Sequence, residues 1–194
     1  MLRKKEIIYR HLLGCYFEKR ETRFTQLGLS KKFSISLSTV SNALAPLRSI
    51  GAVSVLPRSF VIADARKFLL FWATSRRFER DVIYRTRYDG SVTEAEKSMS
   101  SETVFTAYSA YRMLYGDAPA DYSEVYAYAC RENIDGLKRR FPPKDGPPNI
   151  IILEADQFLG KGVVSPPQMF VDLWNLRSWY AKAFVDALEK RLFG

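Results

Sequence analysis

Histidine occurs once in the 194-residue chain, at His11, and cysteine twice, at Cys15 and Cys130. A catalytic triad that needs further histidines has none to draw on, and the two cysteines stand far apart, outside metal-ligand spacing, which argues against a structural zinc. Each cysteine reads as a small buried apolar residue in a reducing compartment. His11 follows Ile8 by about one turn beside an apolar stripe, so it reads as a helix-edge residue, not as a catalytic or metal-ligating one. No apolar run is long enough to span a bilayer, and the charged opening residues precede no signal-type apolar core. A cytoplasmic protein is expected. There is no phosphate-loop motif, no dinucleotide glycine pattern, no internal repeat and no low-complexity segment. No cofactor and no enzymatic activity are expected.

Carboxylates are scarce at one end. Residues 1–80 hold 16 Lys and Arg against 5 Asp and Glu, and the remainder holds 14 against 16. The overall charge of +9 is therefore concentrated in the first part of the chain, as neutralisation of a phosphate backbone would require. A solvated basic surface is the blander reading. With 47% hydrophobic residues the chain has enough apolar material for real cores, in one large domain or two small ones.

The spacing predicts a helix over 4–18, with Ile8, Leu12 and Cys15 on one face and Arg3, Lys4, Lys5 and Arg10 outside. Thr25 can cap a second helix over 26–33, with Leu27 and Leu29 inward and Lys31 and Lys32 at its end. After a turn at Ser34 and Ile35, Ser36 is placed to cap a third helix whose stripe is Val40, Leu44 and Leu47. Opposite that stripe lie Ser38, Ser41, Asn42, Ala45 and Ser49, small or polar and without a carboxylate. Gly51 ends the helix, and Pro46 inside it predicts a kink. Residues 52–56 and 60–63 read as two short strands with Pro57, Arg58 and Ser59 at the tip. Helices followed by a hairpin with an arginine at its tip read as a winged helix-turn-helix.

The expected fold class is α+β: a winged helix-turn-helix over 1–64, a connecting helix over 65–80 capped by Asp64, and a C-terminal α/β domain over 81–194 with a small sheet flanked by helices. The connecting helix is apolar on more than one face and must be covered, by the C-terminal domain or by a second copy of the chain. In the C-terminal part, strands are predicted at 82–87, 124–130 and 149–155, and helices at 92–98, 102–115, 134–141, 164–176 and 179–193. Tyr108, Tyr111 and Tyr115 fall on one helix face and read as core in preference to a base-stacking platform.

Three further stretches carry a resemblance. One is Phe71, Trp72 and Ala73 with Arg76, Arg77 and then Asp81, Val82, Ile83 and Tyr84. Another is the run from Thr106 to Tyr111 with Pro119, Ala120, Asp121, Tyr122, Val125 and Tyr126. The third is Ser165, Pro166, Pro167 and Gln168 leading to Val171, Asp172, Leu173 and Trp174. With the N-terminal pattern they resemble archaeal winged-helix regulators grouped with the AbiEi-type antitoxins of type IV, abortive-infection toxin–antitoxin systems. The resemblance implies a repressor that controls its own operon and opposes a nucleotidyltransferase-like toxin. On the residues alone, the 165–174 stretch reads as structural: prolines in a first helical turn, Asp172 fixing a loop, Leu173 and Trp174 packing.

The DNA site expected from the third helix places Ser38, Ser41 and Asn42 near base edges and Thr39 toward the backbone, with Ser36 at the helix start. Lys31, Lys32, Arg48 and Arg58 would neutralise phosphates. Partners are then double-stranded DNA, the toxin, and, because one small winged helix reads few bases, either a second copy of the chain or paired sites. Two rivals stay open. Glu154 and Asp156, one residue apart after a buried strand, could hold Mg²⁺ as in a nucleotidyltransferase, with Gly90 and Ser91 as a phosphate turn, although more than 60 residues separate that turn from the acids. A regulator whose aromatic C-terminal domain senses a small molecule is the other.

Overall fold

A computed structural model describes residues 4–194, so Arg3 lies outside the described residues. The chain is α+β and divides into two compact units, the first running to Arg76 and the second from Arg77 to Leu192.

The first unit is cut into elements by local capping chemistry. Helix α1 (Lys4–Lys19) precedes a two-residue strand β1 (Arg23–Phe24). Thr25 then stays extended while its Oγ1 accepts the Gly28 N–H at 2.9 Å, which starts helix α2 (Gln26–Phe33). Ser34 adopts a left-handed conformation and ends it. Two residues on, Ser36 Oγ accepts the Thr39 N–H at 3.1 Å and opens helix α3 (Leu37–Ser49), which runs on through Pro46. Gly51, at φ 73°, turns the chain into strand β2 (Val53–Leu56), and Pro57 and Arg58 return it as β3 (Ser59–Ile62). The strands form an antiparallel sheet in the order β1-β3-β2. Asp64 accepts the Lys67 N–H at 2.9 Å and starts helix α4 (Ala65–Ser75).

Val40, Leu44 and Leu47 are buried as the stripe requires, and Leu12 and Phe60 of the same unit are buried too. The Tyr9 hydroxyl donates to the Ala43 carbonyl at 2.7 Å, tying α1 to α3. One face of helix α4 packs on α1 within the same unit. Tyr9 meets Phe68 edge-on at 5.3 Å and Phe71 and Trp72 at 6.3 Å, and Glu6 pairs with Arg76 at 2.5 Å with both side chains buried. Three orientations differ from expectation. Arg10 is buried, Leu27 is 53% exposed because α2 turns Leu29 and Phe33 inward instead, and Cys130 is exposed just beyond a strand end while Cys15 is buried.

The second unit holds a mixed sheet. Strand β4 (Val82–Thr86) is followed by helix α5 (Val92–Ser98), strand β5 (Val104–Thr106), helix α6 (Ala107–Tyr115), strand β6 (Val125–Ala129) and helix α7 (Ile134–Arg140). Strands β7 (Ile150–Glu154) and β8 (Gly162–Val163) and helices α8 (Pro166–Trp174) and α9 (Ala181–Phe193) complete it. The sheet order is β4-β7-β6-β5-β8, with β6 and β7 parallel and β4 and β5 antiparallel to their neighbours β7 and β6. The apolar run Ile150 to Leu153 is explained by this position: β7 lies inside the sheet and all four residues are buried. The single long helix expected over 102–115 is instead a strand and a helix. Val104, Phe105 and Thr106 pair with Tyr128, Ala127 and Tyr126, and α6 begins only at Ala107, itself at φ 52°. β-Branched and aromatic side chains favour that pairing, and their partners lie about 20 residues downstream, where periodicity cannot see them. Tyr108 and Tyr111 are core, packing on Phe184 at 4.8 and 5.4 Å between ring centres.

Candidate functional site

Because α3 buries Val40, Ala43, Leu44 and Leu47, its opposite side must face outward. Ser38, Asn42, Ala45 and Ser49 are exposed, and Thr39, Ser41 and Arg48 are half-buried at the margins. Among the described residues, no hydrogen bond engages the Asn42 amide, which leaves its donor and acceptor available side by side. Ser38 is exposed and also bonded locally. Its Oγ lies 2.9 Å from Ser36 Oγ, which also meets Thr39 Oγ1 at 2.8 Å, so three hydroxyls close into a cluster over the first turn. Ser36 and Thr39 therefore build the helix start as much as they offer groups to a ligand.

The cations divide by position. Lys31 and Lys32 close α2, Arg48 lies in the last turn of α3, and Arg58 stands exposed at the hairpin tip with φ 60°. Among the described residues, no ion pair engages any of the four. The second unit contrasts with this. There Arg85 meets Glu79 at 2.7 Å, Arg131 meets Glu154 at 2.6 Å, Lys182 meets Asp186 at 2.6 Å, and Arg112 and Lys144 pair with Glu96 and Asp89. These cations of the second unit meet carboxylates of that unit, whereas Lys31, Lys32, Arg48 and Arg58 of the first do not.

Sequence reasoning missed one feature. A cavity of about 420 Å³ in the first unit is lined by His11, Glu21, Arg23, Thr25, Lys32 and Ser59, among others. It depends on β1, too short for periodicity to reveal, which brings Arg23 to the hairpin: Arg23 Nε donates to Ser59 Oγ at 3.1 Å. Lys32 thus lines this cavity, whereas Lys31 does not. The His11 ring rests edge-on against Phe33 at 5.3 Å and lies 3.7 Å from Cys15 Sγ. Burial, with Lys32 adding to it, lowers its pKa to about 4, so the imidazole is neutral at pH 7.

The paired-acid arrangement is committed to structural contacts. Glu154 accepts from Arg131 Nε and Nη2 at 2.6 and 3.1 Å, and that guanidinium holds its carboxyl down to about 2. Asp156 accepts the Phe158 N–H at 2.9 Å in a turn. Ser91 caps α5 reciprocally with Glu94, which accounts for the Gly90–Ser91 turn. Asp172, expected to fix a loop, is instead a fully buried acceptor for Thr106 Oγ1 at 2.7 Å, Tyr128 Oη at 2.8 Å and Gln168 Nε2 at 2.9 Å. Leu173 packs in the core, while Trp174 is 43% exposed and stacks on Phe170.

No protein-family model, curated protein or solved structure matches the chain.

Proposed function

We propose that the chain is a sequence-reading, double-stranded DNA-binding regulator, and that its first unit is a winged helix-turn-helix. The order helix, short strand, helix, helix and hairpin supports the assignment. The observation that carries it is the set of cations without carboxylate partners beside a helix face that bears no acidic side chain. In this reading α3 enters the major groove, Asn42 takes an adenine edge through two hydrogen bonds, and Ser41 and Ser38 stand nearby. Thr39 approaches the backbone, Lys31, Lys32 and Arg48 meet phosphates, and Arg58 reaches a phosphate or the minor groove from the hairpin. The resemblance to AbiEi-type antitoxins makes a nucleotidyltransferase-like toxin the protein partner to seek and repression of its own operon the regulatory outcome, in the cytoplasm. A second copy of the chain would double the bases read.

The test is binding of the full chain to the DNA upstream of its own gene and to random duplex, titrated over salt. Specific binding that persists as salt rises, with log affinity falling linearly in log salt, is expected. Equal, weak and salt-labile binding to both duplexes would reduce the first unit to a basic surface and end the proposal.

A further inference from the structure

Of the residues that the docking just proposed uses, Lys32 alone lines the cavity beside α1, β1 and α2, whose lining is unlike ordinary surface. Arg23 bonds Ser59 through Nε alone, and among the described residues no ion pair engages either Arg23 or Lys32. The Thr25 oxygen accepts the Gly28 N–H, yet its own hydroxyl hydrogen remains to be donated. His11 lies on the same wall, with both ring nitrogens 3.7 Å from Cys15 Sγ. One carboxylate, Glu21, shares the lining.

The geometry points to a phosphate-group site: Arg23 and Lys32 supply the charge, and the Thr25 hydroxyl supplies a neutral donor beside them. A planar guanidinium with its terminal nitrogens unspent suits bidentate phosphate recognition, and a lysine nearby acts as a point charge. The volume, about 420 Å³, falls in the range of small-ligand sites, so the phosphate can belong to an organic monoester as well as to a DNA backbone. Glu21 disfavours a bare, highly charged anion and favours an ester that carries a hydroxyl or amine toward it. Ser59 follows Arg58 directly, so a phosphate that draws Arg23 away from Ser59 acts on the base of the proposed DNA-contacting hairpin. Only the backbone source rests on the DNA-binding reading.

The single histidine makes the test clean. In the full chain, the His11 ring proton resonance is followed by NMR during titration with inorganic phosphate, with sodium chloride at matched ionic strength, and with a short duplex. Phosphate is expected to shift the signal saturably where chloride does not. Arg23→Gln and Lys32→Gln, both at exposed positions, should each weaken that binding about tenfold, the value of one charged hydrogen bond. Glu21→Gln should tighten it. A duplex that shifts His11 and is competed by phosphate identifies a backbone phosphate as the occupant. A duplex that binds without disturbing His11 identifies a small ester. Saturation by phosphate with no duplex binding keeps the site and removes the DNA reading. The inference is overturned if neither probe moves the ring, or if the phosphate shift survives unchanged in both glutamine variants.

Discussion

Arg58→Gly separates charge from fold at one position. Arg58 sits at φ 60°, a conformation that costs a non-glycine residue roughly 1–2 kcal/mol. Glycine relieves that strain but gains unfolded-state freedom of about 0.4–1 kcal/mol, so the variant should be as stable as the parent or up to about 1.6 kcal/mol more so. Its DNA binding should nevertheless fall. If Lys31, Lys32, Arg48 and Arg58 each neutralise one phosphate, log affinity declines against log salt with a slope of about −3.6 per bound copy. From about 50 to about 200 mM salt the parent then loses about 150-fold in affinity, and the variant, with a slope of about −2.7, about 40-fold. Fluorescence anisotropy on specific and random duplexes over that salt range measures both slopes, and thermal unfolding measures stability. An unchanged slope would mean that Arg58 meets no phosphate and would refute the docking. A stability loss above about 1 kcal/mol would show instead that the arginine side chain holds the hairpin together.

Asn42→Ala should lose about 1–3 kcal/mol at a single base position and leave the salt slope alone, which binding to a panel of singly substituted duplexes will read. Asp172→Ala removes the acceptor shared by Thr106, Tyr128 and Gln168, all fully buried, so urea unfolding of the variant should show a loss of about 3–5 kcal/mol; a loss below about 1 kcal/mol would mean the cluster reorganises without cost. His11 carries a pH signature. Its folded pKa, about 4, lies below the ordinary 6.5, so the unfolded chain binds more protons between those values and stability falls as pH drops from 6.5 toward 4. Thermal unfolding of the parent across that window should show this fall, and His11→Phe, which keeps the contact with Phe33, should lessen it; parallel profiles would refute the assignment.

What the sequence revealed divides by the distance over which a residue acts. Thr25, Ser36 and Asp64 announce helix starts because an N-cap bonds an amide two or three residues ahead, and all three do so; Ser91, read as part of a phosphate turn, does the same. The α3 stripe is equally local, and with it the face bearing Asn42. Strand β5 was not legible, since Val104 to Thr106 owe their state to partners on β6. Nor was the burial of Arg10, or the engagement of Ser38 by Ser36, because both depend on neighbours brought close by folding. The cavity lay furthest from view: it assembles His11, Arg23, Lys32 and Ser59 from three separate elements and a two-residue strand.

The ion pair between Glu6 and Arg76 joins residues 70 apart in sequence. A ribosome adding about 5–20 residues per second therefore delivers the second partner roughly 4–14 s after the first. Over that interval Tyr9 also waits for Phe68 and Trp72, and the apolar face of α1 stays uncovered on that side. A fragment ended at residue 64, where the hairpin closes, would make the wait permanent. A fragment that runs through Arg76 keeps the partners of both Glu6 and Tyr9, and a nascent chain halted before that point holds an apolar face that only further synthesis can cover.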